Sequence, residues 1–339
     1  MLEAINKGGE KINKFKLRDK FITLKSRDGV INPNIHEWEV STPKDIRNGA
    51  IRDICKSYKT AFTQLKNGTL KHFKLRFCSK KDAPSIEIDK SSITPVKGGI
   101  YIYKRILQTK IKCKKKLKPD YNCRLQVYNN KWYLCVPMKI KETIVSKTGK
   151  YCSLDPGVRK FQTLYSEDKV MMFSTNRNRI KKLRERIDKY RSLRDRKIIK
   201  TKRFTRCHRR MMTKITNIIS ELHNQTANTI TREYSYIMLP IFESQEMVRK
   251  NKIKRINRDI IQYQHYKFQQ KIIHKATSRG GKVDICTEEY SSKTCGLCGT
   301  INDIGSKEQY ICSECNNTLD RDINGARNIM IKRIKELGW

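Results

Sequence analysis

Tyr151-Cys152-Ser153-Leu154-Asp155-Pro156-Gly157 reads as a short buried-type strand that runs directly into a tight turn. An acid at such a strand end lies where an α/β sheet offers its ligands. Outward from it, Phe161 to Tyr165 and Val170 to Phe173 read as a hairpin. A long helical pair follows, with Ile180, Leu183, Ile187, Tyr190 and Leu193, then Met211, Ile215, Ile218, Ile219 and Leu222 at helical spacing. Tyr236-Ile237-Met238-Leu239 is a further strand, residues 255–278 a helix, Val283-Asp284-Ile285-Cys286 a last strand, and a final helix begins near Asp322. Strand, hairpin, helix, strand, helix, strand, helix is an α/β order that suits a ribonuclease H type sheet.

The helical pair is strongly basic. Between Arg177 and Lys214 there are 18 Lys plus Arg against 3 acids, net +15, more than a solvated helix needs for solubility. Phosphate contact is the better reading, and Arg177, Arg179, Lys181, Lys182, Arg184, Arg203, Arg206, Arg209 and Arg210 are its candidates. The whole chain of 339 residues repeats the bias, with 75 Lys plus Arg against 33 Asp plus Glu and a net charge of +42. A surface that positive calls for a polyanion, and nucleic acid fits better than an anionic membrane face. No apolar run approaches the roughly 18 to 20 residues that cross a bilayer, and the opening residues lack the apolar core of a signal peptide. The expected setting is soluble and intracellular: nucleus, viral replication site or bacterial cytoplasm, depending on the host.

The N-terminal half reads differently. Thr42-Pro43-Lys44-Asp45 starts a helix, with Thr42 as cap and Pro43 in the first turn; Ile46, Ala50, Ile54, Tyr58, Ala61 and Leu65 form its apolar stripe, and Asn67-Gly68 ends it. Phe73, Leu75 and Phe77 then alternate as in a strand. Ile100 to Tyr103 continues the strand pattern, and Cys123 to Tyr128, an Asn129-Asn130 turn and Trp132 to Val136 make the clearest hairpin. The run from Lys112 to Lys118 suits either a nuclear-targeting patch or a charged loop. The expected division is a helical segment over 1–68, an antiparallel β-domain over 69–148 and an α/β domain over 149–339 with a basic helical insertion at 175–233.

Of twelve cysteines, eight are scattered singly, whereas Cys295, Cys298, Cys312 and Cys315 form two C-x-x-C pairs thirteen residues apart. That spacing predicts a zinc ribbon over 290–318, holding one structural Zn²⁺ in a closed four-thiolate site. Just beyond it, Asp320-Arg321-Asp322 opens the last helix. Each Asp alone is as well read as a turn former or cap. Together with Asp155 they supply carboxylates from separate elements, which a phosphodiester nuclease needs to hold two divalent ions about 3.5 to 4 Å apart.

Leu154-Asp155-Pro156-Gly157-Val158-Arg159, Tyr290 to Gly299 and Asp320 to Ile329 closely resemble the RuvC and zinc-ribbon motifs of the TnpB family, transposon-encoded RNA-guided DNA endonucleases. The resemblance covers most of the chain. It implies an RNase H-like (RuvC) nuclease domain, a wedge-like β-domain and recognition helices, guide RNA and target DNA as partners, and two catalytic Mg²⁺ or Mn²⁺ ions. Asp155 and Asp322 match the family's ligands, with Asp320 as the helix cap. Typical members carry a third acid at the end of the strand after the insertion, where this chain has Pro240. The Fanzor subgroup is similar in having Leu-Pro-x-Phe there and a Glu just before the ribbon, which points to Glu288, with Glu289 the runner-up and Glu243 weaker. The resemblance enters partway through the recognition region, so the opening wedge strand is expected to be missing. The rival readings are a catalytically impaired nucleic-acid-binding regulator of the element and a strand-joining transposase.

Overall fold

The computed structural model describes residues 13–25, 29, 31–76, 85–113, 117–128, 131–139, 149–174, 177–250, 254–305 and 307–338, the side chains of 250 and 254–256 excepted. The chain divides into two units, Met1–Lys139 and Ile140–Trp339. This boundary and the one expected at 148/149 bracket residues 140–148, which lie outside the described residues.

In the first unit, α1 (Lys14–Phe21) is capped by Asn13, whose side chain accepts from the N–H groups of Phe15 and Lys16. The short α2 (Glu37–Val40) leads to α3 (Lys44–Lys66). Helix α3 starts one residue later than its sequence suggests. Pro43 is the cap residue, no side chain caps the helix, and Thr42 instead offers its carbonyl to Arg47 Nε at 3.2 Å. Gly68, at φ +71°, closes the far end as expected. The buried stripe of α3 runs through Gly49, Ile51, Tyr58 and Ala61, and Ile51 and Tyr58 pack on Leu17 and Ile22. Residues 71–76 form no ladder, which corrects the strand expected there. Phe73 and Leu75 alternate because they pack on this helix pair, Phe73 meeting Tyr58 and Phe62 edge-on at 5.7 and 5.0 Å. Phe77 lies outside the described residues, as do Asn129-Asn130 and residues 114–116 of the lysine run.

Two antiparallel sheets complete this unit: β1 (Ser85–Ile88) with β5 (Cys123–Tyr128) and β6 (Lys131–Cys135), and β2 (Ile93–Val96) with β3 (Gly99–Ile102) and β4 (Lys110–Lys112), the one-turn α4 (Lys104–Leu107) lying between β3 and β4. The expected hairpin is β5–β6, with Val127 opposite Trp132. Ile88, Ile93, Ile100, Ile102 and Cys123, drawn from both sheets, form one apolar core.

The second unit is built on β7 (Tyr151–Pro156), β8 (Gln162–Tyr165), β9 (Val170–Phe173), β10 (Tyr236–Pro240) and β11 (Lys282–Cys286), in the order β11-β10-β7-β8-β9. Strands β7, β8 and β9 run antiparallel through short turns, whereas β10 and β11 lie parallel to β7 and so need crossovers. The first crossover is α5 (Arg177–Asp195) and α6 (Thr201–Glu233); the second is α7 (Ser244–Lys250), α8 (Lys254–Gln262) and α9 (His265–Thr277). After β12 (Gln309–Ile311) and β13 (Thr318–Asp320), α10 (Arg321–Leu337) ends the chain.

Side-chain alternation sorts the central strands between two layers. Cys152, Leu154, Ile237 and Leu239 face a core with Ile215, Ile219, Leu222 and Ile230 of α6 and Phe268 and Ile272 of α9. Met238 and Cys286 face the other way, packing on Ile329 and Met330 of α10, and on that side Ser153 Oγ donates to the Ala326 carbonyl at 2.6 Å. Asp155 shares the parity of Ser153 and points toward α10. Among the described residues no helix is long and apolar enough to cross a membrane, and every cysteine is a free thiol.

Candidate functional site

Asp155 is delivered by the end of β7, where Pro156 and Gly157 turn the chain back toward β8. Its carboxylate rests against Gly325 of α10: a Cβ on Gly325 would lie 2.8 Å from Asp155 Oδ2 and 3.4 Å from Cγ. The absence of that carbon lets the helix carry Asp322 toward Asp155. Burial, then the negative charges of Asp322 and Glu288, hold the Asp155 carboxyl well above the usual range, with Arg321 acting in the opposite sense.

Glu288 follows β11 by two residues. Carrying the registers of β7–β10 and β10–β11 forward places Asp155, Pro240 and Cys286 at one level, with Glu288 two residues further along. The position where the family resemblance calls for an acid is thus filled by a proline level with Asp155. Burial raises Glu288 to about 7, and the charge of Glu243 adds to it. Glu289, by contrast, is exposed and lies 4.0 Å from Lys332. Glu243 is exposed and approaches the site as a neighbour of Glu288.

At the start of α10 the two aspartates divide the work. Asp320 is the helix cap, its Oδ1 accepting from the N–H groups of Asp322 at 2.9 Å and Ile323 at 3.3 Å. Asp322, one residue into the helix, is partly exposed on the side facing Asp155. A residue that sequence reasoning passed over joins them: Lys160 Nζ is 2.7 Å from Asp320 Oδ2 and 3.3 Å from Asp322 Oδ2. Nothing local in the sequence marks it, since its partners lie 160 residues or more further along the chain.

Three acids from three elements, with Asp322 and Glu288 both acting on Asp155 and Asp322 partly offset by Lys160, make a hard-oxygen donor set that suits divalent cations. Among the described residues, the four cysteines are the only group of three or more donors whose atoms all lie within 4.8 Å of one another. The three carboxylates do not form such a group, and two ions about 3.5 to 4 Å apart could share them without all three meeting at one point.

The cysteines fit a single tetrahedral ion. Cys295 Sγ lies 3.6 Å from Cys315 Sγ, and Cys298 Sγ 3.5 Å from Cys312 Sγ; four sulfurs at about 2.3 Å from Zn²⁺ stand roughly 3.8 Å apart. The N–H groups of Cys315 and Glu314 draw Cys312 down to about 6. Cys295 is lowered too, the N–H groups of Cys298 and Leu297 overcoming its burial. One thiol of each C-x-x-C turn is thus drawn toward the thiolate that binds metal. Cys315, against the pull of the Asn317 N–H, is pushed up to about 12 by burial and by the sulfurs of Cys298, Cys312 and Cys295.

On the basic helices, Arg177, Arg179, Lys181 and Lys182 of α5 and Arg203, Arg206, Arg209 and Arg210 of α6 are exposed. Arg184 is engaged within the protein: it pairs with Asp259 and donates to the Arg258 carbonyl at 2.7 Å, tying α5 to α8. Beside Val158 of the Asp155 turn, α5 and α8 border a cavity of about 540 Å³ lined by Arg177, Lys181, Arg184 and Arg258 together with Glu185, Asp188 and Asp259.

Comparison with known proteins gives the layout its relatives. Residues 265–329 match the family described as Cas12f1-like, TNB domain. The putative transposase A625R of Paramecium bursaria Chlorella virus 1 is 35% identical over 350 residues, covering 98% of this chain and 79% of that protein. The TnpB-like protein L770 of Acanthamoeba polyphaga mimivirus is 27% identical across 94% of this chain, which spans only 62% of that relative's length. The putative RNA-guided DNA endonuclease InsQ of Escherichia coli (strain K12) is 22% identical, over 87% of this chain and 75% of its own. With a relative that similar along nearly its whole length, and the Asp-Pro-Gly and two C-x-x-C motifs brought into one unit, this chain belongs to the TnpB family.

Proposed function

We propose that this protein, a TnpB-type transposon-associated nuclease, is a metal-dependent DNA endonuclease guided by RNA. The observation that carries the reading is the close approach of Asp155 to the start of α10, with Asp322 and Glu288 as its charged neighbours. The order β11-β10-β7-β8-β9, two parallel crossovers beside an antiparallel meander, supports an RNase H-like nuclease domain. The sulfur spacing supports a zinc ribbon with one structural Zn²⁺.

Asp155, Glu288 and Asp322 are the residues that would hold two Mg²⁺ or Mn²⁺ ions, which when bound supply an activated water and a stabilised leaving oxygen, giving 5′-phosphate and 3′-hydroxyl ends. The protein's own part is to gather these acids at one sheet edge, to keep Asp322 in place through Lys160 and the Asp320 cap, and to hold a phosphate backbone on α5 and α6. Arg177, Arg179, Lys181, Lys182, Arg203, Arg206, Arg209 and Arg210 are the proposed contacts, with guide RNA and target DNA the proposed partners. Sequence choice then falls to base pairing with the guide.

The test is to purify the full chain expressed with its native flanking DNA and to sequence the RNA that comes with it. A single defined RNA supports guidance. Random host RNA contradicts it, and a defined RNA with no DNA cleavage assigns the chain the regulator's role instead.

A further inference from the structure

Helix α10 carries Asp322 in its first turn, and the same turn is gripped by the first cysteine pair. Asn324 is fully buried. Its Nδ2 donates to the Thr294 carbonyl at 2.8 Å, and its Oδ1 accepts from the Gly296 N–H at 3.1 Å. One turn further on, Asn328 Nδ2 donates to the carbonyls of Ser291 at 2.7 Å and Thr294 at 2.6 Å. Thr294 and Gly296 flank Cys295, so two side-chain amides hold the backbone on both sides of one metal-binding thiol. The approach is close: a Cβ on Gly296 would lie 3.0 Å from Asn328 Oδ1 and 3.2 Å from Asn324 Oδ1. The second cysteine pair reaches the helix by another route, since β13 runs into α10 without a loop and Arg321 N–H donates to the Glu308 carbonyl at 2.8 Å.

We propose that Asn324 and Asn328 are positioning residues through which the four-cysteine centre sets the place of Asp322, an inference that rests on reading Asp322 as a ligand for divalent cations. A bound metal fixes the backbone of 294–298 by bonding Cys295 and Cys298. Asn324 passes that order to the residue two before it, and Asn328 pins the next turn, so the helix start cannot drift away from Asp155. Without metal at the cysteines the two amides lose their fixed partners, and a buried amide without partners favours loosening of the turn that carries it.

The experiment measures Mn²⁺ binding to the zinc-loaded full chain by electron paramagnetic resonance, zinc content on the same samples, and amide exchange over residues 323–326. Asn324→Ala is expected to retain its zinc yet bind Mn²⁺ about 10 to 100-fold more weakly, with faster exchange in the first turn of α10. Gly296→Ala, which crowds both asparagines from the cysteine side and alters no acid, is expected to do the same and serves where Asn324→Ala fails to fold. Stripping zinc from the wild type should speed the same amides. An Asn324→Ala or Gly296→Ala protein with full zinc and wild-type Mn²⁺ binding, or zinc-stripped protein with unchanged exchange at 323–326, overturns the coupling. Wild-type protein that binds no Mn²⁺ contradicts the three-acid reading, and the exchange measurement then decides the coupling alone.

Discussion

Asp155 and Gly325 meet without room for a single carbon between them: a Cβ on the glycine would stand 2.8 Å from the carboxylate oxygen. Gly325 lies inside α10, where alanine would ordinarily be favoured by about 1 kcal/mol. Gly325→Ala therefore sets helix propensity against a contact that no real pair of atoms keeps. Either α10 or the Asp155 side chain must shift, at roughly 1 to 3 kcal/mol. The expected outcome is a melting temperature near wild type with DNA cleavage down on the order of 100-fold. Circular dichroism and a plasmid-cleavage assay measure the two together, and full activity in the alanine variant would count against this contact as a determinant of the site.

Lys160 gives a second prediction. It is 28% exposed and holds both Asp320 and Asp322. Lys160→Met removes the cation from a cluster of acids, so the metal-free protein should lose about 1 to 2 kcal/mol. Added Mg²⁺ should recover part of that loss by supplying positive charge to the same carboxylates. Urea unfolding in EDTA and in Mg²⁺ tests this, and an equal loss in both media would argue against a shared charge cluster.

The third prediction concerns Pro240, level with Asp155 in the register of β10. Glu288→Gln should lower cleavage roughly 100-fold or more. Adding Pro240→Glu to that variant puts a carboxylate back at the level of Asp155, and partial recovery of cleavage is expected. A double variant no better than Glu288→Gln would show that the sheet edge at 240 cannot serve the site.

The fourth prediction is one of pH. His223 and His265 are buried against Phe161, behind the Asp155 turn, with ring centroids 5.1 and 5.3 Å from it. Burial lowers His223 to about 4 and His265 to about 3. The unfolded chain binds these protons first, so their contribution to stability is present above about pH 6.5 and is lost as pH falls toward 4 and 3. Asp155 and Glu288, raised instead of lowered, work in the opposite direction. The difference between wild type and His265→Phe isolates the histidine. Wild type should lose more stability than the variant between pH 6.5 and 4, as read by urea midpoints, and parallel pH profiles would contradict the assignment.

Much of this was legible in the sequence for reasons of period and spacing. The buried-type run Tyr151 to Leu154, ending in Asp155-Pro156-Gly157, marked a strand with an acid at its end, which is how β7 is built. Two C-x-x-C turns at fixed separation left a four-sulfur cluster as the economical solution, and Asp320 capped its helix as its position implied. Phe73 and Leu75 misled because alternation reports which side chains are covered, not what covers them; here a helix does so in place of a second strand. Lys160 and Gly325 went unread for a related cause. Each matters through a partner more than 150 residues away, and neither periodicity nor local spacing carries such a contact. Arg184 looked like its basic neighbours until Asp259, on another helix, claimed it.

The most direct test of the account is DNA cleavage by the full chain with its copurified RNA, in Mg²⁺ and in EDTA, for wild type and Asp155→Ala. Wild type should make Mg²⁺-dependent double-strand breaks at sites matching the RNA and Asp155→Ala none, with nucleic-acid binding nearly equal in the two. Cleavage that persists in Asp155→Ala, or that proceeds unchanged in EDTA, would contradict it.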